Sequence, residues 1–248
     1  MMKSAGGVAL TGALGGAALA LAIMFGTAAV GIFPPNSDAR IHDYLLSHPQ
    51  VLVEISNKLE GQQNSKENES RQKAVMKLGL KPFFNPQLAF ITGPQSARKT
   101  FVEFFDYNCP YCRASVPAVK KFMAAHKSDA RFAFIEFPIK GPQSTIASRA
   151  AIAARNQPDK YLAFHFLLMD EKELVTEDVV FADAAKAGLD VNRLKADMED
   201  RSVGAAIAGA RSLAVAAKVD GTPAFIINGR MHEGALDEDT LSELLKPS

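Results

Sequence analysis

The chain has 248 residues, with 28 basic and 27 acidic side chains and a net charge of +1. This length leaves room for one domain of about 150 to 200 residues and for shorter additional segments. The near-neutral charge gives no reason to expect a nucleic-acid partner or binding to an acidic membrane surface.

Residues 1–37 predict an exported or membrane-associated N-terminus. The stretch Ser4 to Ser37 contains no charged side chain, and it exceeds the roughly 20 apolar residues that are needed to span a bilayer. This length favours a transmembrane anchor at residues 5–33 over a signal peptide, but Thr27-Ala28-Ala29 is a candidate cleavage site, and a buried soluble helix is a third interpretation. Because Lys3 provides the positive flank expected on the cytoplasmic side, we expect the remaining chain in the periplasm, tethered to the inner membrane if the segment is not cleaved.

Residues 38–85 predict a helical segment for oligomerisation or linkage. Asp38 can cap one helix and Pro49 can start a second, each with an apolar face. Two short amphipathic helices cannot bury these faces alone, so they need a partner surface; packing on the following domain and a spacer role are the alternatives. The polar stretch Glu60 to Lys77 is compatible with a solvated helix or a flexible linker.

The only two cysteines of the chain follow a predicted strand and open a predicted helix. Thr100 to Phe105 is short, apolar and rich in β-forming residues, which indicates a buried strand. Proline suits the first helical position, so a helix is expected over Pro110 to His126. The unpaired N–H groups and partial positive charge of a helix N-terminus stabilise a thiolate at Cys109. Cys112, one turn further, is expected to face inward and close enough to form a disulfide with Cys109.

A Cys-x-x-Cys pair between a strand and a helix indicates redox chemistry. Cys109, expected to be the more exposed of the two, would attack a disulfide, and Cys112 would resolve the mixed disulfide. A structural disulfide or half of a zinc site are the alternatives. A zinc site needs about four ligands, and the five histidines have no paired spacing near the cysteines. We therefore expect neither a metal nor a cofactor.

The rest of the chain predicts an α/β fold. The predicted strands lie on both sides of a helical stretch: Gln87–Thr92, Thr100–Phe105, Arg131–Phe137, Ala224–Ile227 and Arg230–Glu233. Asn228-Gly229 is typical of a two-residue hairpin turn, and Asp237 can cap a last helix through Leu245. His165 lies in an apolar helical run and is expected to be a packed or surface histidine, not a catalytic one.

The run FVEFFDYNCPYC, together with Gly221-Thr222-Pro223, resembles the DsbA-type thiol-disulfide proteins of the thioredoxin superfamily. The likeness is greatest to the branch that contains the suppressor-of-copper-sensitivity protein C. It covers about residues 86–247, and RIHDYLLSHPQVL resembles the N-terminal segment that makes that branch oligomeric. The resemblance implies a thioredoxin-like domain at residues 86–248, with a helical insertion at about 141–218.

The resemblance also implies a substrate-binding turn beside the cysteines. A cis bond between Thr222 and Pro223 would turn the Thr222 backbone towards Cys109, where it can pair with an extended substrate strand. An ordinary proline at a strand edge is the alternative. Pro110 and Tyr111, the two residues between the cysteines, are expected to contact substrate.

An acidic residue is expected beneath the site. Glu103 on the central strand matches an acidic residue of the family; if it is buried, its pKa is raised and it can relay a proton to or from Cys112. A solvated carboxylate at a strand edge is the alternative. Asp106 and Tyr107 are assigned only a role in shaping the site.

Together these features predict an enzyme, a periplasmic thiol-disulfide oxidoreductase with a redox-active Cys109–Cys112 disulfide. Its expected partners are unfolded or misfolded envelope proteins and a DsbB-like or DsbD-like membrane protein. Threonine before the cis proline and the N-terminal helices favour an isomerase or reductase that forms a homo-oligomer. A monomeric dithiol oxidase and a membrane-tethered chaperone or copper-binding protein are the alternatives.

Overall fold

A computed structural model of the protein describes residues 37–245. The predicted signal peptide or anchor at residues 1–37 lies almost wholly outside this range. None of the helices between residues 37 and 245 has the length and apolar character needed to cross a bilayer. The chain divides into two compact units, Met1–Gln63 and Asn64–Ser248.

In the first unit, the described residues form α1 (Ser37–Ser47) and the beginning of α2 (Gln50–Leu78). The polar stretch Glu60 to Lys77 lies within α2, so it is a helix and not a flexible linker. Large apolar side chains of this unit are exposed over 47 to 69% of their surface: Ile41, Tyr44, Leu46, Leu52, Val53, Ile55 and Leu59.

The second unit is built on a mixed five-stranded sheet with the order β1-β3-β2-β4-β5. Its strands are β1 (Phe90–Thr92), β2 (Lys99–Phe105), β3 (Ala130–Glu136), β4 (Ala224–Ile227) and β5 (Arg230–Glu233). β2 is parallel to β3 and antiparallel to β4, while β1 and β5 are antiparallel edge strands. β1 is shorter than predicted because the N–H groups of Leu88 and Ala89 turn back to the carbonyl of Asn85.

The helices occupy the predicted places around this sheet. α3 (Pro110–His126) connects β2 to β3, and α9 (Glu238–Leu245) follows β5. The helical subdomain between β3 and β4 contains α4 (Pro142–Ala154), α5 (Pro158–Asp170), α6 (Glu177–Lys186), α7 (Val191–Met198) and α8 (Arg201–Ala217). The predicted thioredoxin fold with a helical insertion is therefore confirmed.

The sheet has a hydrophobic core on each face, because successive residues of a strand point to opposite sides. Phe101 and Phe105 of β2 belong to the core that includes α3 and much of the helical subdomain. Val102 and Phe104 belong to the opposite core. Glu103 shares the side of Phe101 and Phe105, which places it beneath α3.

The second core also includes residues that precede the sheet. Val75 near the end of α2 is 2% exposed and Phe83 is fully buried, and both belong to the core that contains Val102 and Phe104. The compact unit accordingly starts at Asn64, and residues 64–85 contribute to its packing. The start of the thioredoxin-like domain at residue 86 remains a prediction from the sequence.

Candidate active site

The two cysteines are free thiols at the start of α3. Cys109 is the N-cap, with an extended backbone conformation, and Pro110 follows in the first turn. The carbonyl of Cys109 accepts the N–H of Arg113, and the N–H of Cys109 donates to the carbonyl of Asp106. This arrangement directs the N-terminal N–H groups of α3 towards the Cys109 sulfur.

The turn before β4 lies directly against this sulfur. The Thr222–Pro223 peptide bond is cis, as the resemblance implies. The Cys109 thiol donates a hydrogen bond to the carbonyl oxygen of Thr222, at a distance of 3.1 Å. The fold thus brings together two residues that are 113 positions apart in the sequence.

The surroundings of Cys109 lower its pKa to about 5. The largest cause is a hydrogen bond from the Cys112 thiol, which lowers the pKa, and burial of Cys109 opposes it. The Thr222 side chain and the backbone N–H groups of Cys112 and Tyr111 lower the pKa further. The sequence predicts only the helix N–H groups as the source of this effect. The Thr222 hydroxyl is buried and has no hydrogen-bond partner within the described residues while Cys109 is a thiol, so a thiolate at Cys109 would provide the acceptor that this hydroxyl lacks.

Both sulfurs are buried, so the expectation that Cys109 is exposed is not met. Cys109 has no exposed surface and Cys112 is 1% exposed, because the Thr222–Pro223 turn lies directly over the Cys109 sulfur. Cys109 nevertheless lies less deeply in the protein than Cys112. Pro110 is exposed and the Tyr111 side chain is 64% exposed. These two residues are therefore accessible to solvent beside the buried cysteine pair.

Glu103 is a buried carboxyl group at the centre of the sheet. It is 3% exposed, and burial raises its pKa to about 8. It is therefore not a solvated carboxylate at a strand edge. The pKa of Cys112 is strongly raised by its own burial first, then by its hydrogen bond to Cys109 and by the negative charge of Glu103. Glu103 and Cys112 are thus electrostatically coupled.

Asp106 organises the backbone around the cysteine pair. Its carboxylate is fully buried and accepts N–H groups from Asn108 at 2.8 Å, Ile139 at 2.7 Å and Lys140 at 2.9 Å. The Asn108 amide in turn pairs with both the N–H and the carbonyl of Val175. Sequence reasoning gave Asp106 a shaping role but missed Asn108 as the link to the helical subdomain, because its partner is 67 residues away.

His165 is a packed histidine, as expected. It is 2% exposed, and its Nδ1 lies 3.1 Å from the hydroxyl of Tyr107. Burial lowers the pKa of His165 to about 3, so its ring is neutral at physiological pH. Its ring also packs against Phe105 of β2 and Phe134 of β3.

The sequence profile of the family described as thioredoxin matches residues 87–247. The chain belongs to the thioredoxin family. A second profile, described as the copper resistance protein ScsC N-terminal domain, matches residues 38–65. Within the thioredoxin family, this chain is a thiol-disulfide protein of the DsbA/ScsC type, which confirms the predicted resemblance.

Solved structures of this family have the same fold. A thioredoxin-like oxidoreductase from Silicibacter pomeroyi is 37% identical, with a TM-score of 0.62 over 67% of this chain and 94% of that one. ScsC from Proteus mirabilis in a transitional conformation is 26% identical, with a TM-score of 0.62 over 84% of this chain and 93% of that one.

The thioredoxin-family region also matches part of much longer proteins. The Na(+)/H(+) antiporter NhaA from Herminiimonas arsenicoxydans is 31% identical over 175 residues, which are 71% of this chain and 28% of the antiporter. The chain thus spans little more than a quarter of the length of this curated relative.

Proposed function

We propose that this protein is a periplasmic thiol-disulfide oxidoreductase that acts on unfolded or misfolded envelope proteins and isomerises or reduces their disulfides. The proposal rests on the position of the Cys109 sulfur, at the N-cap of α3 and 3.1 Å from the Thr222 carbonyl. With a pKa of about 5, this thiol is almost entirely a thiolate at neutral pH. A thiolate is the species that attacks a disulfide.

In the first step, the Cys109 thiolate attacks one sulfur of a substrate disulfide. A bond forms between the two sulfurs, the substrate S–S bond breaks, and the second substrate sulfur leaves as a thiolate. The Thr222 backbone beside the cis proline is suited to pair with an extended substrate segment, and the exposed Tyr111 and Pro110 would contact the same segment. Substrate must displace part of the cover over Cys109 to reach its sulfur.

Reduction is completed when Cys112 attacks the Cys109 sulfur. Cys112 must first lose its proton, which its raised pKa opposes, and Glu103 with a pKa of about 8 is suited to accept that proton. The Cys109–Cys112 bond forms as the mixed disulfide breaks, and the substrate sulfur leaves as a thiolate. A DsbD-like membrane protein would then return two electrons to the Cys109–Cys112 disulfide.

Isomerisation needs no net electrons. The substrate thiolate released in the first step attacks another disulfide of the same polypeptide, and a substrate thiolate finally displaces Cys109 from the mixed disulfide. This reaction regenerates the Cys109 thiolate directly. It favours an assembly in which several active sites surround one bound substrate.

The first compact unit supports such an assembly. Its apolar side chains are exposed, and burial between copies would stabilise an oligomer by about 25 cal/mol per Å² of apolar surface. Residues 38–65 also match the ScsC N-terminal domain. A homo-oligomer held by α1 and the beginning of α2 is therefore part of the proposal.

The chemistry is tested with scrambled ribonuclease and with insulin as substrates. Wild type is expected to restore ribonuclease activity and to reduce insulin. Cys109→Ser should lose both activities, whereas Cys112→Ser should lose mainly insulin reduction because substrate thiolates can still release Cys109. Full activity of Cys109→Ser would refute the assignment of the nucleophile.

The redox potential separates an isomerase or reductase from a dedicated oxidase. We expect a value between those of thioredoxin, about −270 mV, and DsbA, about −120 mV. Equilibration of the protein with glutathione measures it. A value at the DsbA end would instead favour the oxidase.

The role of the first unit is tested with the double variant Leu52→Glu/Leu59→Glu, whose two side chains are 52% and 60% exposed. Wild-type chain from residue 38 onwards is expected to have the mass of an oligomer in light scattering. The variant should be monomeric, retain insulin reduction and lose most ribonuclease refolding. Val215→Glu, at a 72% exposed position of α8, is the matched control. A monomeric variant with wild-type refolding activity would contradict the role of oligomerisation.

A further inference from the structure

Arg71 on α2 contacts the chain on both sides of the Thr222–Pro223 turn. Its side chain is only 11% exposed. Nε donates to the carbonyl of Lys218 at 3.3 Å, and a terminal nitrogen donates to Asp220 at 3.0 Å. Nε also lies 3.1 Å from the Glu233 carboxylate. One guanidinium thus joins the segment before the turn to the strand that returns after it.

The segment before the turn starts in a conformation that needs support. Lys218 ends α8 with φ of 60° and ψ of 33°, the left-handed region that non-glycine residues seldom adopt. Besides the contact of its carbonyl with Arg71, its ammonium group donates to the Ser70 hydroxyl at 2.6 Å. Two adjacent residues of α2 therefore fix the point from which the chain runs to Thr222.

The segment after the turn is fixed by the same helix. The Gln72 side chain donates to the carbonyl of Gly229 at 2.8 Å and accepts the N–H of Met231 at 2.9 Å. The β4–β5 hairpin is thereby attached to α2, and the N–H of Gly234 after β5 holds the carbonyl of Pro223 at 3.0 Å. The segment after the turn is thus attached to the same helix that carries Arg71.

Removal of Arg71 would leave the negative charges around it without their positive partner. Asp220, the half-buried Glu233 and Glu67 all face the guanidinium, so without it these three carboxylates would repel one another near the base of the turn. Arginine can contact the Lys218 carbonyl and Asp220 together because its donors are arranged in a planar fork. A lysine ammonium at this position cannot reproduce both contacts.

We propose that Arg71 is a positioning residue that holds Thr222 against Cys109 through Asp220 and the Lys218 carbonyl. The inference rests on the proposed function for its effect on substrate, because the turn is the proposed substrate-binding element. It also predicts an effect that needs no substrate. Displacement of Thr222 weakens the hydrogen bond of its hydroxyl to the Cys109 thiolate, and the pKa of Cys109 should rise.

The experiment compares Arg71→Gln, Arg71→Lys and Asp220→Asn in the full chain. We expect a rise of about fivefold in KM for a disulfide-containing peptide with a smaller change in kcat, and a pKa of Cys109 above its wild-type value in a titration of thiolate absorbance. Arg71→Lys should recover only part of the wild-type behaviour. Lys73→Gln, which removes an exposed ion pair with Glu69 on the same helix, should change neither quantity.

A merely structural role predicts a lower melting temperature with KM and the pKa unchanged, and that result in folded variants would overturn the inference. If Arg71→Gln does not fold, Asp220→Asn carries the test, because this side chain is 76% exposed. An inactive wild type would refute the proposed function alone, since the thiolate titration still decides whether Arg71 positions Thr222.

Discussion

The Cys112 thiol donates a hydrogen bond to the Cys109 thiolate, and this bond contributes more than any other interaction to the low pKa of Cys109. Cys112→Ala should therefore raise the pKa of Cys109 above about 5. Cys112→Ser should raise it less, because the serine hydroxyl can donate in the same place. Each variant has a single thiol, so the pH dependence of thiolate absorbance reports Cys109 alone. An unchanged midpoint in Cys112→Ala would contradict this source of stabilisation.

The Thr222 hydroxyl is the second donor to the thiolate. Thr222→Val keeps the shape of the side chain but removes the donor, so we expect a higher pKa of Cys109 and a more reducing potential. The potential falls because only the reduced protein contains the thiolate. Each unit of pKa corresponds to about 30 mV for a two-electron couple. Thr222→Ser, which retains the hydroxyl, is the control, and equal potentials of the two variants would argue against the hydroxyl.

Burial of Glu103 predicts a characteristic pH dependence of stability. Its pKa is raised from 4.5 to about 8 on folding, so between these values the unfolded chain has released a proton that the folded protein still holds. The contribution of Glu103 to the free energy of unfolding should fall with rising pH across this window, by at most about 1.4 kcal/mol per pH unit. Urea unfolding of the oxidised protein at pH 4 to 9, compared with a variant that lacks the Glu103 carboxyl, isolates this contribution, because the lowered pKa values of Cys109 in the reduced protein and of His165 give slopes of opposite sign.

Glu103→Gln supplies the comparison for that measurement. The glutamine side chain does not titrate, so it lacks the loss of stability that Glu103 causes in wild type. Relative to wild type, the variant should therefore become steadily more stable from about pH 4.5, and this gain should level off above pH 8. The same variant should lose the inflection in the rate of thiol exchange near pH 8. An unchanged pH profile of exchange would remove the proposed proton relay, whatever the effect on stability.

Phe101 is the centre of the aromatic core beneath α3. It is fully buried and contacts the rings of Phe122, Phe132, Phe134 and Phe225. Phe101→Ala should lower the free energy of unfolding by about 3 to 5 kcal/mol, and Phe101→Leu by less because it leaves a smaller cavity. Val215→Ala on the surface should remain within about 0.5 kcal/mol of wild type. Urea unfolding checks all three.

Local signals in the sequence were sufficient for most of the secondary structure. α3 begins at Pro110 and ends at His126 as predicted, since proline at the first helical position and the apolar period are properties of neighbouring residues. β4 and β5 also have the predicted bounds, because Asn228-Gly229 adopts the positive φ values of a hairpin turn. β1 begins at Phe90 and not at Gln87 as predicted, because the N–H groups of Leu88 and Ala89 donate to the carbonyl of Asn85.

The sequence by itself determined the order of the elements and the pair Cys109 and Cys112 at the start of a helix, because these depend on residues close together in the chain. Only the tertiary structure decided that both sulfurs are buried, that the Cys109 thiol donates to the Thr222 carbonyl, and that Arg71 contacts Asp220 just before that turn. Both of these contacts join segments more than 100 residues apart. Their geometry is set by how the sheet and helices pack, which no local pattern of residues encodes.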